Sequence, residues 1–222
     1  MSFEEFERVY DDTDQLELLR GELIGPIGSA ALPFPAGGIM NDMGTTTLMS
    51  FAEFELLDAG ADDVELLRGE LIRLPPAQRN HMQICRRLFK LLDAALERWK
   101  RSNPEARIGE LEIEMGYLIS SDPRSWLQPD LSLTHPDQPG ERYYEGSPLV
   151  VFEVFSEYDT ATRLDKKVAV YLAHGAAEVW VIYPEARHAW VHRGAVPAAT
   201  RETAAIHSDL LPGVEIPLDE IL

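Results

Sequence analysis

Hydrophobic positions follow two different periods along the chain, and the switches between them mark its elements. From His81 to Trp99 apolar residues recur at spacings of three and four (Cys85, Leu88, Leu92, Leu96, Trp99), which predicts a long amphipathic helix. Residues 160–174 predict a second helix, closed by Gly175. Between the helices the period drops to two. In 108–120, Leu111, Ile113 and Met115 alternate with Glu110, Glu112 and Glu114, the pattern of a half-buried strand. Residues 126–134 predict another strand. Residues 149–155 are almost entirely apolar and so predict a strand covered on both faces. A buried strand at Glu178–Tyr183, an outer one at 188–192, and a closing strand with a helical turn in LLPGVEIPLDEIL complete the pattern. The order from residue 79 is α-β-β-β-α-β, an α/β class with a mixed central sheet flanked by helices.

The front of the chain repeats itself. Residues 1–24 align without gaps on 49–72, with 15 of 24 positions identical at an offset of 48. Each copy opens on a capping box (Ser2 with Glu5, Ser50 with Glu53), so each predicts a short helix. In the second copy, 64–67 and 70–74 flank Arg68-Gly69 as a tight hairpin, with the glycine supplying a positive φ. The stretch between the copies is rich in Gly, Pro and Ala and lacks periodicity, as a linker does. The expected organisation is a partial duplicate plus linker over 1–48 and one domain over 49–222. A partial duplication explains the repeat; so does a working start at Met43 or Met49. The first copy carries apolar side chains without a reserved place of its own, so it should pack on the domain's outside, lie against a second chain or stay disordered; packing against a second chain, in a homodimer, is the favoured expectation.

Composition narrows the classes. No run of eighteen apolar residues exists, so no membrane span is expected, and the acidic opening MSFEEFERVY is unlike a secretory signal. The one cysteine, Cys85, rules out an internal disulfide framework and suits a reducing cytoplasm. The net charge of −18 argues against a general polyanion binder. Residues 79–107 nevertheless hold eight bases against three acids. Arg86, Arg87 and Lys90 on the polar side of the long helix are therefore the expected DNA contacts, weak and salt-sensitive because the summed field opposes them.

Chemistry concentrates on three residues: Asp130 in Gln-Pro-Asp, Glu153 within the apolar run LVVFEVF, and Lys167 in the following helix. A carboxylate inside an apolar strand must be paired, protonated or metal-bound. Neighbouring strands that each place one carboxylate at a similar height can hold Mg²⁺ or Mn²⁺ through hard oxygen ligands. A helical lysine could then orient water and stabilise a pentavalent phosphate. A buried Glu153–Lys167 ion pair, with Asp130 capping a strand end, satisfies the same spacing. Other groupings are weaker. His188 and His192 are four residues apart on a strand, about 13 Å, too far for one metal. Ser156 with His81 lacks a nucleophile-elbow pattern. Cys85 lies on an apolar stripe, Glu110, Glu112 and Glu114 read as a solvated face, and Tyr143-Tyr144 as a loop anchor or a base stack.

From Glu65 to Leu222 the chain resembles the Uma-two family, restriction-endonuclease-like proteins of the PD-(D/E)XK nuclease superfamily. The stretches that carry the resemblance are ELLRGELIRLPP, His81 opening the helix, LQPDLSL, PLVVFEVFS, KVAVYLAHGAAEVWVIYPEARHAWVHRG and LLPGVEIPLDEIL. The resemblance implies a restriction-endonuclease-like αβββαβ core and a metal-dependent endonuclease acting on DNA. Position by position it makes Asp130 and Glu153 metal ligands, Lys167 the catalytic lysine, Glu70 a further acid near the site and His81 a contributor. The lysine of the superfamily's E-x-K motif would fall at Phe155, so the family places that role on the helix. The chain departs from the family pattern at Glu157 (usually proline), Tyr183 (usually aspartate) and Arg163 (often an acid). The rival expectation is a non-catalytic binding or regulatory module that keeps the fold; the acidity favours it.

Overall fold

The computed structural model describes residues 17–19, 22–24, 48–58, 64–194 and 199–222, and the chain divides into two units, Met1–Thr47 and Leu48–Leu222. In the first unit, β1 (Glu17–Leu19) and β2 (Glu22–Ile24) form an antiparallel pair with Glu17 opposite Ile24. The expected helix after Ser2 and the linker lie outside the described residues.

The second unit opens with α1 (Phe51–Asp58). Its capping box closes as the sequence predicts: Ser50 N donates to Glu53 Oε2 at 2.8 Å, and Glu53 N donates to Ser50 Oγ at 3.3 Å. The hairpin β3 (Val64–Leu67) and β4 (Glu70–Arg73) repeats the register of β1 and β2, with Glu65 opposite Ile72. Arg68 at φ 52° and Gly69 at φ 82° are both left-handed, so the two-residue turn follows the twist of its strands.

Two sheets follow. The six-stranded sheet runs β13 (Ala199–Glu202), β12 (His188–Arg193), β11 (Glu178–Tyr183), β10 (Val150–Val154), β8 (Leu131–Leu133), β5 (Leu111–Ile113). β10 lies parallel to β11 and antiparallel to β8, which makes the sheet mixed. The five-stranded sheet runs β4, β3, β7 (Arg124–Leu127), β6 (Tyr117–Ser121), β9 (Tyr144–Glu145).

The large sheet is covered on both faces. On one lie α2 (Arg79–Ser102), the pair β14 (Ala205–His207) and β15 (Glu215–Pro217), and α4 (Leu218–Ile221). Leu88, Leu92 and Leu96 of α2 pack there against Phe152, Val154, Trp180 and Ile182. On the other face α3 (Ala161–Ala173) packs Leu164, Val168 and Tyr171 against Val151, Val179 and Val181, together with Tyr117 and Leu127 from the small sheet. Thr160 caps α3, its hydroxyl accepting from Arg163 N at 3.2 Å.

Two predicted strands are each cut in two, and the cuts build the site. The run 108–120 breaks between β5 and β6: Glu114 is left-handed at φ 49°, and at Gly116 a side chain would run into the ring of Trp126. The run 126–134 breaks at Gln128-Pro129-Asp130, where proline has no N–H for a ladder. At each break the chain passes from one sheet to the other. The breaks lie side by side, with Glu114 N donating to Asp130 O at 3.2 Å and Gln128 Nε2 to Glu114 O at 2.6 Å.

Candidate active site

Alternation along β10 sends Phe152 and Val154 to the α2 face and Glu153 to the α3 face beside Val151. Lys167 projects from α3 between Leu164 and Val168, both buried, so its ammonium must find acids inside the protein. It finds two. Lys167 Nζ lies 2.9 Å from Glu153 Oε1 and 3.1 Å from Glu65 Oε1. Tyr171, one helical turn on, donates its hydroxyl to Glu153 Oε1 at 3.0 Å. Glu65 Oε1 also accepts Gln128 N at 3.0 Å, which ties β3 to the break that carries Asp130.

Asp130 is fixed through both oxygens. His81 Nε2 lies 2.9 Å from Oδ1, and Val154 N donates to Oδ2 at 2.6 Å. Glu65, Asp130, Glu153, Lys167 and His81 line one cleft of about 310 Å³, walled by Pro75, Pro76 and Tyr158.

The electrostatics are those of crowded acids. Burial, with Asp130 and Glu65 nearby, pushes the Glu153 carboxyl up to about 8 although Lys167 opposes the shift. Burial alone would lower Lys167, but Glu153 and Glu65 outweigh it and hold the ammonium above its ordinary range. The hydrogen bond to Asp130 raises His81 above its usual value despite partial burial. Two carboxylates thus hold one lysine, and Asp130 lines the same cleft. Glu65 Oε2 is in addition buried without a hydrogen-bond partner. Hard oxygen donors and an unsatisfied carboxylate oxygen on Glu65 are groups that a divalent cation takes.

The structure brings together Asp130, Glu153, Lys167 and His81 among the residues singled out in the sequence. It does not bring Glu70. That side chain is exposed beside the hairpin turn, with Lys166 Nζ 3.7 Å away, and the acid this hairpin delivers is Glu65. Arg86, Arg87 and Lys90 are exposed on α2, Arg87 donating to Ile221 O at 3.3 Å. Cys85 is buried, and its ligand atom lies within 4.8 Å of those of His81 and Asp130. Burial raises its thiol, so the group stays protonated and packs as core. Ser156 donates its hydroxyl to Asp159 Oδ2 at 2.7 Å, which leaves it without a histidine base. Glu112 accepts from Tyr144 at 3.0 Å, and Tyr143 rests edge-on against Trp126 at 5.4 Å as a loop anchor.

The chain is similar to a known family and to a solved structure. The model of a family described as "Uma2: Putative restriction endonuclease" matches residues 51–219. A crystal structure of "a putative nuclease belonging to DUF820" from Anabaena variabilis ATCC 29413 superposes with a TM-score of 0.64 at 17% identity. The match covers 78% of this chain and 97% of that one, a likeness of fold. No curated protein matches the sequence.

Proposed function

The chain belongs to the Uma2 family, and from that premise we propose that it hydrolyses DNA phosphodiester bonds with Mg²⁺ or Mn²⁺ held by Asp130 and Glu153. The observation that carries this reading is that Glu65, Asp130, Glu153 and Lys167 line one cleft, with Lys167 held between Glu65 and Glu153. An ion bound there would supply positive charge against the charge that develops on the phosphate oxygens.

The remaining steps belong to side chains of this protein. Lys167, kept charged by two carboxylates, offers its third donor position to a non-bridging phosphate oxygen or to the attacking water. Glu65 acts as a positioning residue that fixes Lys167 while holding Gln128 N. His81 and Val154 N orient the two oxygens of Asp130. The exposed cations Arg86, Arg87 and Lys90 supply the electrostatic attraction for DNA, weak and salt-sensitive in a chain of net charge −18. The buried lone thiol suits a reducing cytoplasm, and the duplicated hairpin suits a homodimer.

Titration with Mn²⁺ followed by electron paramagnetic resonance, alongside a plasmid-nicking assay, tests the reading. Wild type should bind Mn²⁺ and nick DNA, and Asp130→Ala should lose both. Metal binding without nicking would favour a non-catalytic module that keeps the fold, and no metal binding would overturn the site.

A further inference from the structure

Three glutamates are buried among the described residues, Glu65, Glu153 and Glu178, and they are not satisfied alike. Glu178 opens β11 and does not line the cleft. Both of its oxygens are closed. Arg193 Nε donates to Oε1 at 2.8 Å, Asp209 N to the same oxygen at 3.3 Å, and Trp180 Nε1 to Oε2 at 3.1 Å. A glutamate with a purely structural role is held in this way, each oxygen meeting a donor.

Glu65 is held on one side only. Alternation along β3 sends Val64 and Leu66 into the cluster with Phe54 and Trp126, and Leu67 into the cluster with Leu164 and Val168 of α3. Glu65 shares the face of Leu67 and so meets α3. Its Oε1 takes two donors, Lys167 Nζ at 3.1 Å and Gln128 N at 3.0 Å. Its Oε2 takes none among the described residues, although the atom is buried and the residue is 1% exposed. A buried carboxylate oxygen without a donor carries a desolvation cost that a bound cation offsets. Glu153 is pinned similarly, with Lys167 Nζ at 2.9 Å and the Tyr171 hydroxyl at 3.0 Å both on its Oε1. The two glutamates thus give one oxygen each to the same ammonium, and both line the cleft with Asp130.

We propose that Glu65 is a third protein ligand of the divalent cation and binds it through Oε2. The proposal rests on the nuclease reading, in which Asp130 and Glu153 hold the cation, and adds a ligand from the first hairpin of the domain. An anionic carboxylate oxygen is the donor that Mg²⁺ and Mn²⁺ take. The three acids come from separate elements: β3 brings Glu65, the Gln-Pro-Asp break brings Asp130, and β10 brings Glu153. Gln128 N ties the first two, since it donates to Glu65 two residues before Asp130, and Lys167 ties Glu65 to Glu153. One carboxylate then serves twice, Oε1 fixing the lysine and Oε2 meeting the ion. Glu70, the other acid of this hairpin, is exposed beside Lys166 and has no such buried oxygen.

Mn²⁺ titrated into the full chain tests the proposal, with electron paramagnetic resonance reading affinity and water-proton relaxation reading the number of waters on the bound ion. Glu65→Gln should bind Mn²⁺ at least about tenfold more weakly. Its bound Mn²⁺ should carry about one more water than in the wild type, because the ion keeps six ligands. Glu70→Gln removes the same charge from the same hairpin and should change neither reading. Weaker binding at an unchanged water count would show that Glu65 acts only through charge and Lys167, and overturns the ligand. Unchanged affinity in Glu65→Gln overturns it as well. Melting curves show whether Glu65→Gln folds, and if it does not, the wild type decides. About three waters on the ion support three protein ligands, and about four leave only two. Asp130→Ala separates the outcomes: binding lost there but kept in Glu65→Gln leaves the Asp130–Glu153 site standing without Glu65. No Mn²⁺ binding in the wild type fails the nuclease reading itself.

Discussion

Glu65 Oε1 and Lys167 Nζ meet at 3.1 Å, joining the first hairpin of the domain to α3 across a site whose other members come from between them in sequence. Both side chains are buried, and the same ammonium also serves Glu153 at 2.9 Å. Removing the cation therefore strands two acids in the interior. In Lys167→Met the expected loss of stability without added metal is about 3–5 kcal/mol, the cost typical of breaking a buried pair on one side. Urea denaturation at pH 7.5 measures it. Added Mn²⁺ should recover part of the loss, and a variant as stable as wild type would mean that the lysine neutralises nothing.

The raised carboxyl of Glu153 gives a pH dependence of definite sign. In the folded protein it titrates at about 8, whereas in the unfolded chain its ordinary value is near 4.5. Between these values the folded state binds the proton more tightly. The contribution is complete below pH 4.5 and is lost as pH rises through 8. The metal-free melting temperature should accordingly fall between pH 5 and pH 8 by an amount that Glu153→Gln removes. An identical slope in Glu153→Gln would assign the titration elsewhere.

Glu153 was legible in the sequence because it interrupts an apolar run, and Lys167 because it sits on the apolar side of a periodic helix. Glu65 was not. In ELLRGELI both glutamates fall on alternating strands, and the register places Glu65 with Leu67, Glu70 and Ile72 on one face. Periodicity therefore cannot choose between them. Distance along the strand decides: Glu70 adjoins the turn and meets Lys166, whereas Glu65 lies two residues deeper, opposite Ile72. A signal existed, since Glu65 stands between Val64 and Leu66 in a strand buried at every position. The sheet crossovers stayed hidden for a similar reason. Residues 108–120 and 126–134 keep a strand's alternation through their breaks, and only Gly116 and Pro129 hint that each run serves two sheets.

Binding by the basic side of α2 has a measurable signature. Each cation that releases a counterion adds roughly one unit to the slope of log affinity against log salt. Arg86→Glu with Arg87→Glu removes two exposed guanidinium groups, so the slope for duplex DNA should flatten by about two. Because Arg87 also donates to Ile221 O, Arg86→Glu alone provides the variant that leaves that contact intact. An unchanged slope in both would move the phosphate contact off this helix.

Cys85 is 2% exposed, and burial raises its thiol. A protonated, covered sulfur neither attacks nor ligates. Labelling with a thiol reagent at pH 8 should be slow in the native protein and rapid in urea, and adding Zn²⁺ should not change the native rate. Rapid native labelling would place the thiol in a reactive site with His81 and Asp130.

The duplicated hairpin yields the last expectation. β1 and β2 pair in the register of β3 and β4, so Leu18, Leu19 and Ile24 correspond to Leu66, Leu67 and Ile72. The second copy buries these at 0%, 2% and 8% exposure. Burying a large apolar side chain is worth about 1.5–3 kcal/mol, a driving force for placing a second copy of this hairpin against another surface. A surface complementary to this hairpin already exists wherever a second chain presents what β3 and β4 contact. Light scattering on wild type should then give the mass of a dimer, and on the variant lacking residues 1–48 that of a monomer with Mn²⁺ binding retained. The same mass in both would show that the first copy makes no interface, and the duplication would then leave assembly untouched.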